Sequence, residues 1–337
     1  MRIRNLVTLT LSFLLLAAGC GGDSTPTTTA TPATSAEAAT AATTTTPAAT
    51  TMAAATTTTE ADSLYPVTVE TDSGPVTVEA MPTQIVSLSP TATETLFAIG
   101  AGDQVVAADE YSYYPAEAPV TDLSGFAPNV EAILSYSPDL LVIAGSPDDL
   151  QAAVEAVGIP VLLLGAALTL DDVYAQIESL GAATGHTDEA STVAADMQTR
   201  IAAVTDNLAD AETAPTYYHE LDPTYYSVTS GTFIGQVYGL LGLDNIADAA
   251  DPDGYGFPQL TEEYIIGANP DFIFLADAQC CGESPDTVGA RPGWDSMEAV
   301  VENHVIEVDA DIASRWGPRT ADFIEAVAAA ISESTGA

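Results

Sequence analysis

Lysine is absent from this 337-residue chain, and arginine occurs only six times, as Arg2, Arg4, Arg200, Arg291, Arg315 and Arg319. Against 48 acidic residues this leaves a formal net charge of −42. A field of that sign repels nucleic acid and anionic lipid headgroups, which excludes nucleic-acid partners and disfavours strongly anionic ligands unless local cations offset it. The acidity itself serves solubility or life in a salty medium and names no function. Cysteine is nearly as scarce: Cys20 stands alone, and Cys280 and Cys281 are adjacent. Neighbouring thiols make a poor metal chelate, and in an exported chain they read as a loop staple. The three histidines, His186, His219 and His304, lie far apart, and no G-x-S-x-G, H-E-x-x-H or phosphate-cradling G-x-x-x-x-G-K-[ST] occurs. No catalytic residue, resident metal or cofactor is therefore expected, and the chain reads as a non-enzyme. His219, in YYHELD, is the one histidine whose neighbours suggest ligand contact, weighed against a buried strand residue.

Long apolar runs are missing too. The longest begins at Leu6, after Arg2 and Arg4, and ends at Ala18. It is shorter than the about 20 residues a membrane-spanning helix needs, but it suits the apolar region of a secretory signal. The Ala17-Ala18-Gly19-Cys20 ending resembles a bacterial lipobox, which implies lipidation at Cys20 and anchoring at the outer face of the cytoplasmic membrane. Residues 21–63 are almost entirely Thr, Ala, Pro and Ser, too poor in large apolar side chains to offset the entropy of ordering, and read as a disordered tether.

What remains is patterned. YPVTVETDSGPVTVEA (65–80) alternates around Asp72-Ser73-Gly74 as a β-hairpin. Short strand-like runs (QIVSL, QVVAA, DLLVIA, PVLLL) then alternate with helical patterns, as α/β folds with a parallel sheet require. This predicts one α/β lobe over 64–185, a long helix over 186–212 without Gly or Pro, and a second α/β lobe over 213–337. The lobes echo each other. NVEAILSYSPDLLVIA and LTEEYIIGANPDFIFLA each place a glutamate (Glu131, Glu263) seven residues before a Pro-Asp that opens a buried strand. Aromatic residues gather in Gly/Pro-punctuated connections of both lobes: Tyr111, Tyr113 and Tyr114, Phe126, Tyr225 and Tyr226, Tyr255 and Phe257, Trp294, and Trp316. Loops at strand ends are where α/β lobes bind ligands, so the set suggests a cleft that stacks on a large, partly apolar ligand.

IVSLSPTATETLFAIGAGDQVVAADEYSYYP, NVEAILSYSPDLLVI, SGTFIGQVYGLLGLDNIAD, FPQLTEE and RPGWD together resemble the substrate-binding lipoproteins of cobalamin and ferric-siderophore ABC importers, from about residue 84 to the C-terminus. That resemblance implies two Rossmann-like α/β lobes joined by one backbone helix, a monomer that captures its ligand between the lobes and delivers it to membrane permease subunits. It further implies ligand contacts from Tyr111, Phe126, Phe257, Asp311 and Arg315, and permease docking by Glu131 and Glu263. Where some members carry a tryptophan after the DLVIA-type strand, this chain has Gly145 and Ser146. The few arginines favour a ligand of low net charge, a corrinoid or a hydroxamate siderophore; haem, held by a tyrosine or His219, is a third option. An exported enzyme or a surface adhesin on the same fold are the rival readings. In VDADIASRWGPRT (308–320), Asp311 and Arg315 fall on the cleft wall by resemblance, while Arg319 is expected to brace the structure against a carboxylate or carbonyl.

Overall fold

A computed structural model describes residues 64–206 and 214–335. The expected signal segment, the tether, Cys20 and the final residues of the expected long helix lie outside the described residues.

The alternating segment at 65–80 forms the antiparallel hairpin β1 (Val67–Thr71) and β2 (Gly74–Val78). Asp72 then staples the hairpin to the first lobe: its N–H donates to the Leu163 carbonyl, and its carboxylate accepts from the Gly165 N–H at 2.8 Å. Four parallel strands follow, β3 (Ile85–Leu88), β4 (Val105–Ala108), β5 (Leu140–Ile143) and β6 (Val161–Leu163), in the spatial order β4-β3-β5-β6. Their connections carry α1 (Pro90–Ala98), α2 (Val130–Ser135) and α3 (Leu150–Glu155).

The first lobe closes with α4 (Leu170–Thr184), which starts on a Thr169–Asp172 capping box and ends at Gly185 in the left-handed region. After it runs α5 (Thr187–Thr205), 19 residues and about 28 Å long. It packs on α4 on one side and on the C-terminal helix on the other, as a backbone helix between lobes must.

The second lobe repeats the first. Its parallel strands β7 (Thr216–Glu220), β8 (Asp244–Asn245), β9 (Phe272–Leu275) and β10 (Val305–Glu307) take the order β10-β9-β7-β8. In both sheets the second strand flanks the first on one side and the third and fourth lie on the other. The helices are α6 (Phe233–Leu240), α7 (Glu262–Ala268), the short α8 (Ala278–Cys281), α9 (Pro285–Gly289), α10 (Glu298–Val301) and α11 (Ala310–Ser314), and finally α12 (Thr320–Thr335).

The repeated Pro-Asp has a structural job. Ser137 and Asn269, one residue earlier, both take left-handed backbone conformations (φ 53° and 48°) that end α2 and α7. Asp139 then accepts from the N–H and hydroxyl of Thr83 and the N–H of Gln84, each at 2.9 Å. Asp271 accepts from the N–H and hydroxyl of Thr216 at 2.6 and 2.8 Å. In each lobe the start of the third strand is thereby pinned to the start of the first, where the backbone N–H groups would otherwise lack partners.

Alternation along the strands separates three apolar clusters. Leu140, Val142, Tyr217, Phe272 and Phe274 point into one core shared by both lobes, beneath α4, α5, α6 and α12. Leu141 and Ile143 point to an outer core in the first lobe, and Tyr218, Ile273 and Leu275 to another in the second. Because the central cluster is continuous, the described residues form one compact unit.

Candidate functional site

The connections that leave the C-terminal ends of β4 in the first lobe, and of β7 and β8 in the second, hold the exposed aromatic residues. After β4, the Asp109 carboxylate accepts from the Tyr111 N–H at 2.8 Å and is itself buried, which holds its pKa above the usual aspartate value. The loop it fixes exposes Tyr111, Tyr113 and Tyr114. Phe126 stands edge-on to Tyr111, ring centroids 5.8 Å apart, and is 81% exposed. It can sit there because Gly125 lies against the end of β3: a Cβ at that position would come within 2.8 Å of the Leu88 carbonyl oxygen.

The second lobe presents its aromatics in the same way. Tyr226 follows β7, and Tyr255 and Phe257 follow β8; all three are exposed. Asp251 accepts from the N–H groups of Tyr255 and Gly256 at 3.0 and 2.6 Å, and the Gly256 carbonyl accepts from Thr229 at 2.8 Å. Both loops are pinned through their backbone while their rings face solvent, so ordering costs are met before any ligand arrives.

Not every aromatic in the sequence set belongs here. Trp294 is fully buried in the outer core of the second lobe, its Nε1–H donating to Glu262, with Tyr225 stacked on it at 5.8 Å. Trp316 is half-buried and packs against the shared core. The burial of His219 also corrects an expectation: it is 0% exposed, its Nδ1 meets the Tyr238 hydroxyl at 2.9 Å, and burial pulls its pKa down to about 3. A neutral imidazole inside the core cannot reach a haem in the cleft.

The expected cleft residues Asp311 and Arg315 lie where the lobes meet. Asp311 accepts from the Tyr113 hydroxyl at 2.5 Å, which raises the phenol's pKa. Arg315 departs from the expectation of an open ligand contact: at 6% exposure, its Nη1 donates to Glu94 at 2.6 Å and its Nη2 to the Tyr111 carbonyl at 3.1 Å, with Asp311 at 3.0 Å. Arg319 braces the structure as expected, its Nε and Nη2 donating to Glu94 at 2.7 and 2.5 Å. Glu94, on α1 and 3% exposed, was missed by sequence reasoning. Its only signal is a single charge in the otherwise uncharged PTATETLFA helix.

The other two described arginines are also committed. Arg291 forks onto Glu220 at 2.7 and 2.5 Å and reaches Glu283 at 2.7 Å. Arg200 pairs with Asp322 and Glu325. Among the described residues, every arginine is thus held by carboxylates. Beside Glu220 lies Asp277, fully buried, its pKa pushed up to about 7 by burial and by Glu220. Neither of its carboxyl oxygens has a hydrogen-bond partner among the described residues. Cys280 and Cys281, three residues on and exposed, are joined by a disulfide.

Glu131 and Glu263 occupy the first turns of α2 and α7, capped by Asn129 and Thr261. Both are exposed and have no ion-pair or hydrogen-bond partner among the described residues, whereas the neighbouring Glu262 is occupied by Trp294. A hollow of about 470 Å³ between Thr169–Asp171 and α6 is a separate feature, lined by Phe233, Gln236 and Leu240 and by none of the exposed aromatics.

A family model described as periplasmic binding protein matches residues 85–312. An ABC transporter substrate-binding lipoprotein of Bacillus subtilis is 31% identical over 283 residues, 81% of this chain and 87% of its own length. A vitamin B12-binding protein of Pectobacterium carotovorum is 30% identical over 71% of this chain and 85% of its own length. Among solved structures, a periplasmic heme-binding protein from Roseiflexus superimposes with a TM-score of 0.65 at 25% identity, covering 75% of this chain and 99% of that one.

Proposed function

From the premise that the chain belongs to the periplasmic binding protein family, we propose that it is the extracytoplasmic solute-binding component of an ABC importer, tethered through Cys20, whose ligand is a corrinoid of low net charge. The observation that carries this is the exposed aromatic set on backbone-pinned loops of both lobes: Tyr111, Tyr113 and Phe126 on one, Tyr226, Tyr255 and Phe257 on the other. Such rings supply stacking area at low entropic cost. The commitment of every described arginine to carboxylates argues against a multiply anionic ferric catecholate and leaves a neutral hydroxamate complex as the siderophore option. Haem is the second reading, supported by exposed phenols that can ligate iron. The protein acts as a monomer without resident cofactor, and binding is its whole task.

Glu131 and Glu263, free and equivalently placed on the two lobes, would engage permease arginines, fixing register and speeding encounter more than raising affinity. Thermal unfolding with cyanocobalamin, haemin or a neutral ferric hydroxamate tests the ligand class: at 100 times its Kd the true ligand adds about 2.7 kcal/mol of stability. Absence of a shift with all three sinks the reading. Glu131→Arg with Glu263→Arg should leave ligand affinity intact and abolish uptake, while Cys20→Ala should release the protein from the membrane.

A further inference from the structure

We infer that Glu94 is the positioning residue of the ligand cleft: its buried carboxylate clasps two arginines of the opposite lobe and, through them, holds the tyrosine loop in place. The part of this that concerns the ligand rests on the function proposed above; the clasp itself does not.

Glu94 belongs to α1 of the first lobe, and its partners lie more than 220 residues away, in the RWGPR segment that leads into α12. Three charge-assisted N–H bonds converge on the one carboxylate, from Arg315 Nη1, Arg319 Nε and Arg319 Nη2. Between the arginines, Gly317 lies on α1, where a Cβ would be 3.6 Å from both Thr91 and Thr95 side chains. The same guanidinium groups reach the aromatic loop. Arg315 donates to the Tyr111 carbonyl at 3.1 Å and stands 4.9 Å over the Tyr113 ring, and Arg319 stands 3.9 Å over the Tyr114 ring. Asp311 completes the set by bonding both Arg315 and the Tyr113 hydroxyl.

All three tyrosines are thus placed from the second lobe. The charges balance, with Glu94 and Asp311 against Arg315 and Arg319. Taking away the Glu94 charge leaves two guanidinium groups side by side in a nearly dry setting, where like charges repel strongly. The loop that depends on them then loses its anchor, and Tyr111 loses its fixed position beside Phe126. Arg315 accordingly serves the ligand through Tyr111 and Tyr113 and not by direct contact.

The second lobe offers a built-in control, because its aromatic loop is pinned by Asp251 and makes no use of Glu94. Amide hydrogen exchange of the full chain is therefore compared between wild type, Glu94→Gln and Glu94→Asp. In Glu94→Gln, exchange across residues 109–115 is expected to rise about tenfold, the equivalent of losing one charge-assisted hydrogen bond, while residues 251–257 stay at the wild-type rate. Glu94→Asp, which keeps the charge, recovers part of the protection. Equal exchange of 109–115 in wild type and Glu94→Gln overturns the inference, and so does a rise of the same size in both loops, which marks general destabilisation. If Glu94→Gln does not fold, Arg315→Lys takes its place: it retains a cation for Glu94 but cannot also bond the Tyr111 carbonyl, so the same selective rise in 109–115 is expected, and no rise refutes the role. Cyanocobalamin binding is the second readout, with about tenfold faster dissociation expected in Glu94→Gln and little change in association. If wild type binds no cyanocobalamin, the corrinoid reading fails while the exchange result still decides the clasp; if it binds and Glu94→Gln dissociates at the wild-type rate, Glu94 does not position the cleft.

Discussion

Two buried carboxylate centres sit at opposite extremes of charge balance. At the lobe junction, Glu94 accepts from two arginines, so cation charge converges on a single acid. In the second lobe, Glu220 and Glu283 share Arg291 while Asp277 lies buried beside Glu220, so three acids crowd one cation. In a chain with 48 acids and six arginines, the second arrangement is what composition favours, and the first is the one that needs an explanation. Concentrating half of the described arginines on one N-lobe glutamate ties the lobes together at the place where the tyrosine loop must be held. At the acid-rich centre, by contrast, burial and the neighbouring Glu220 raise the Asp277 pKa, so the crowding favours the neutral acid.

The difference can be broken from either side. Glu94→Leu should have the largest effect, about 3–5 kcal/mol of lost stability by urea unfolding, because it strands two buried guanidinium groups. Asp277→Asn should act in the opposite direction. A carboxyl with a folded pKa of about 7 and an ordinary unfolded value near 3.8 binds more protons folded than unfolded between those values. Its contribution is present at low pH and is lost as pH rises from about 4 to 7. The isosteric amide removes that loss, so Asp277→Asn should be more stable than wild type at pH 8 by about 4 kcal/mol and nearly equal to it near pH 4, as read from melting across pH. A flat wild-type profile that the substitution does not alter would remove the contrast.

Smaller effects sharpen the comparison between lobes. Asp139→Ala and Asp271→Ala should each cost about 2 kcal/mol, since each frees strand-start donors, and the pair should be additive within about 0.5 kcal/mol because the two sites share no partners. Arg200→Gln should cost least, below about 1 kcal/mol, because its ion pairs with Asp322 and Glu325 on α12 are substantially solvent-accessible. Denaturant midpoints of the three variants test that ranking.

Much of the architecture was legible in the residues. Strand and helix periods located both lobes, and the Glu to Pro-Asp spacing located two equivalent helices, because these are local patterns set by side-chain alternation and capping. The exposed rings of Tyr111, Phe126 and Phe257 stand in punctuated loops as their sequence context suggested. Tyr225 and Trp294 share that context and yet are claimed by the outer core, since Gly/Pro punctuation marks a loop without saying which way its side chains turn. His219 shows the same limit. Its place in a strand was readable, but only the packing of Tyr238 over it shows that it faces the shared core.

Composition, periodicity and the duplicated motif by themselves determined an acidic α/β chain with two similar lobes, a helix between them and aromatic loops at the strand ends. Only tertiary structure decided which charges meet. The partners of Arg315 and Arg319 lie on the far lobe, and nothing local says that the lone charge of α1, Glu94, is the acid they meet. Short-range order follows from backbone sterics and side-chain spacing, whereas a buried ion pair is chosen by the geometry that brings distant segments together and leaves no water to compete for the charge. The RWGPR segment, with its two arginines on one glutamate, is where that choice was made.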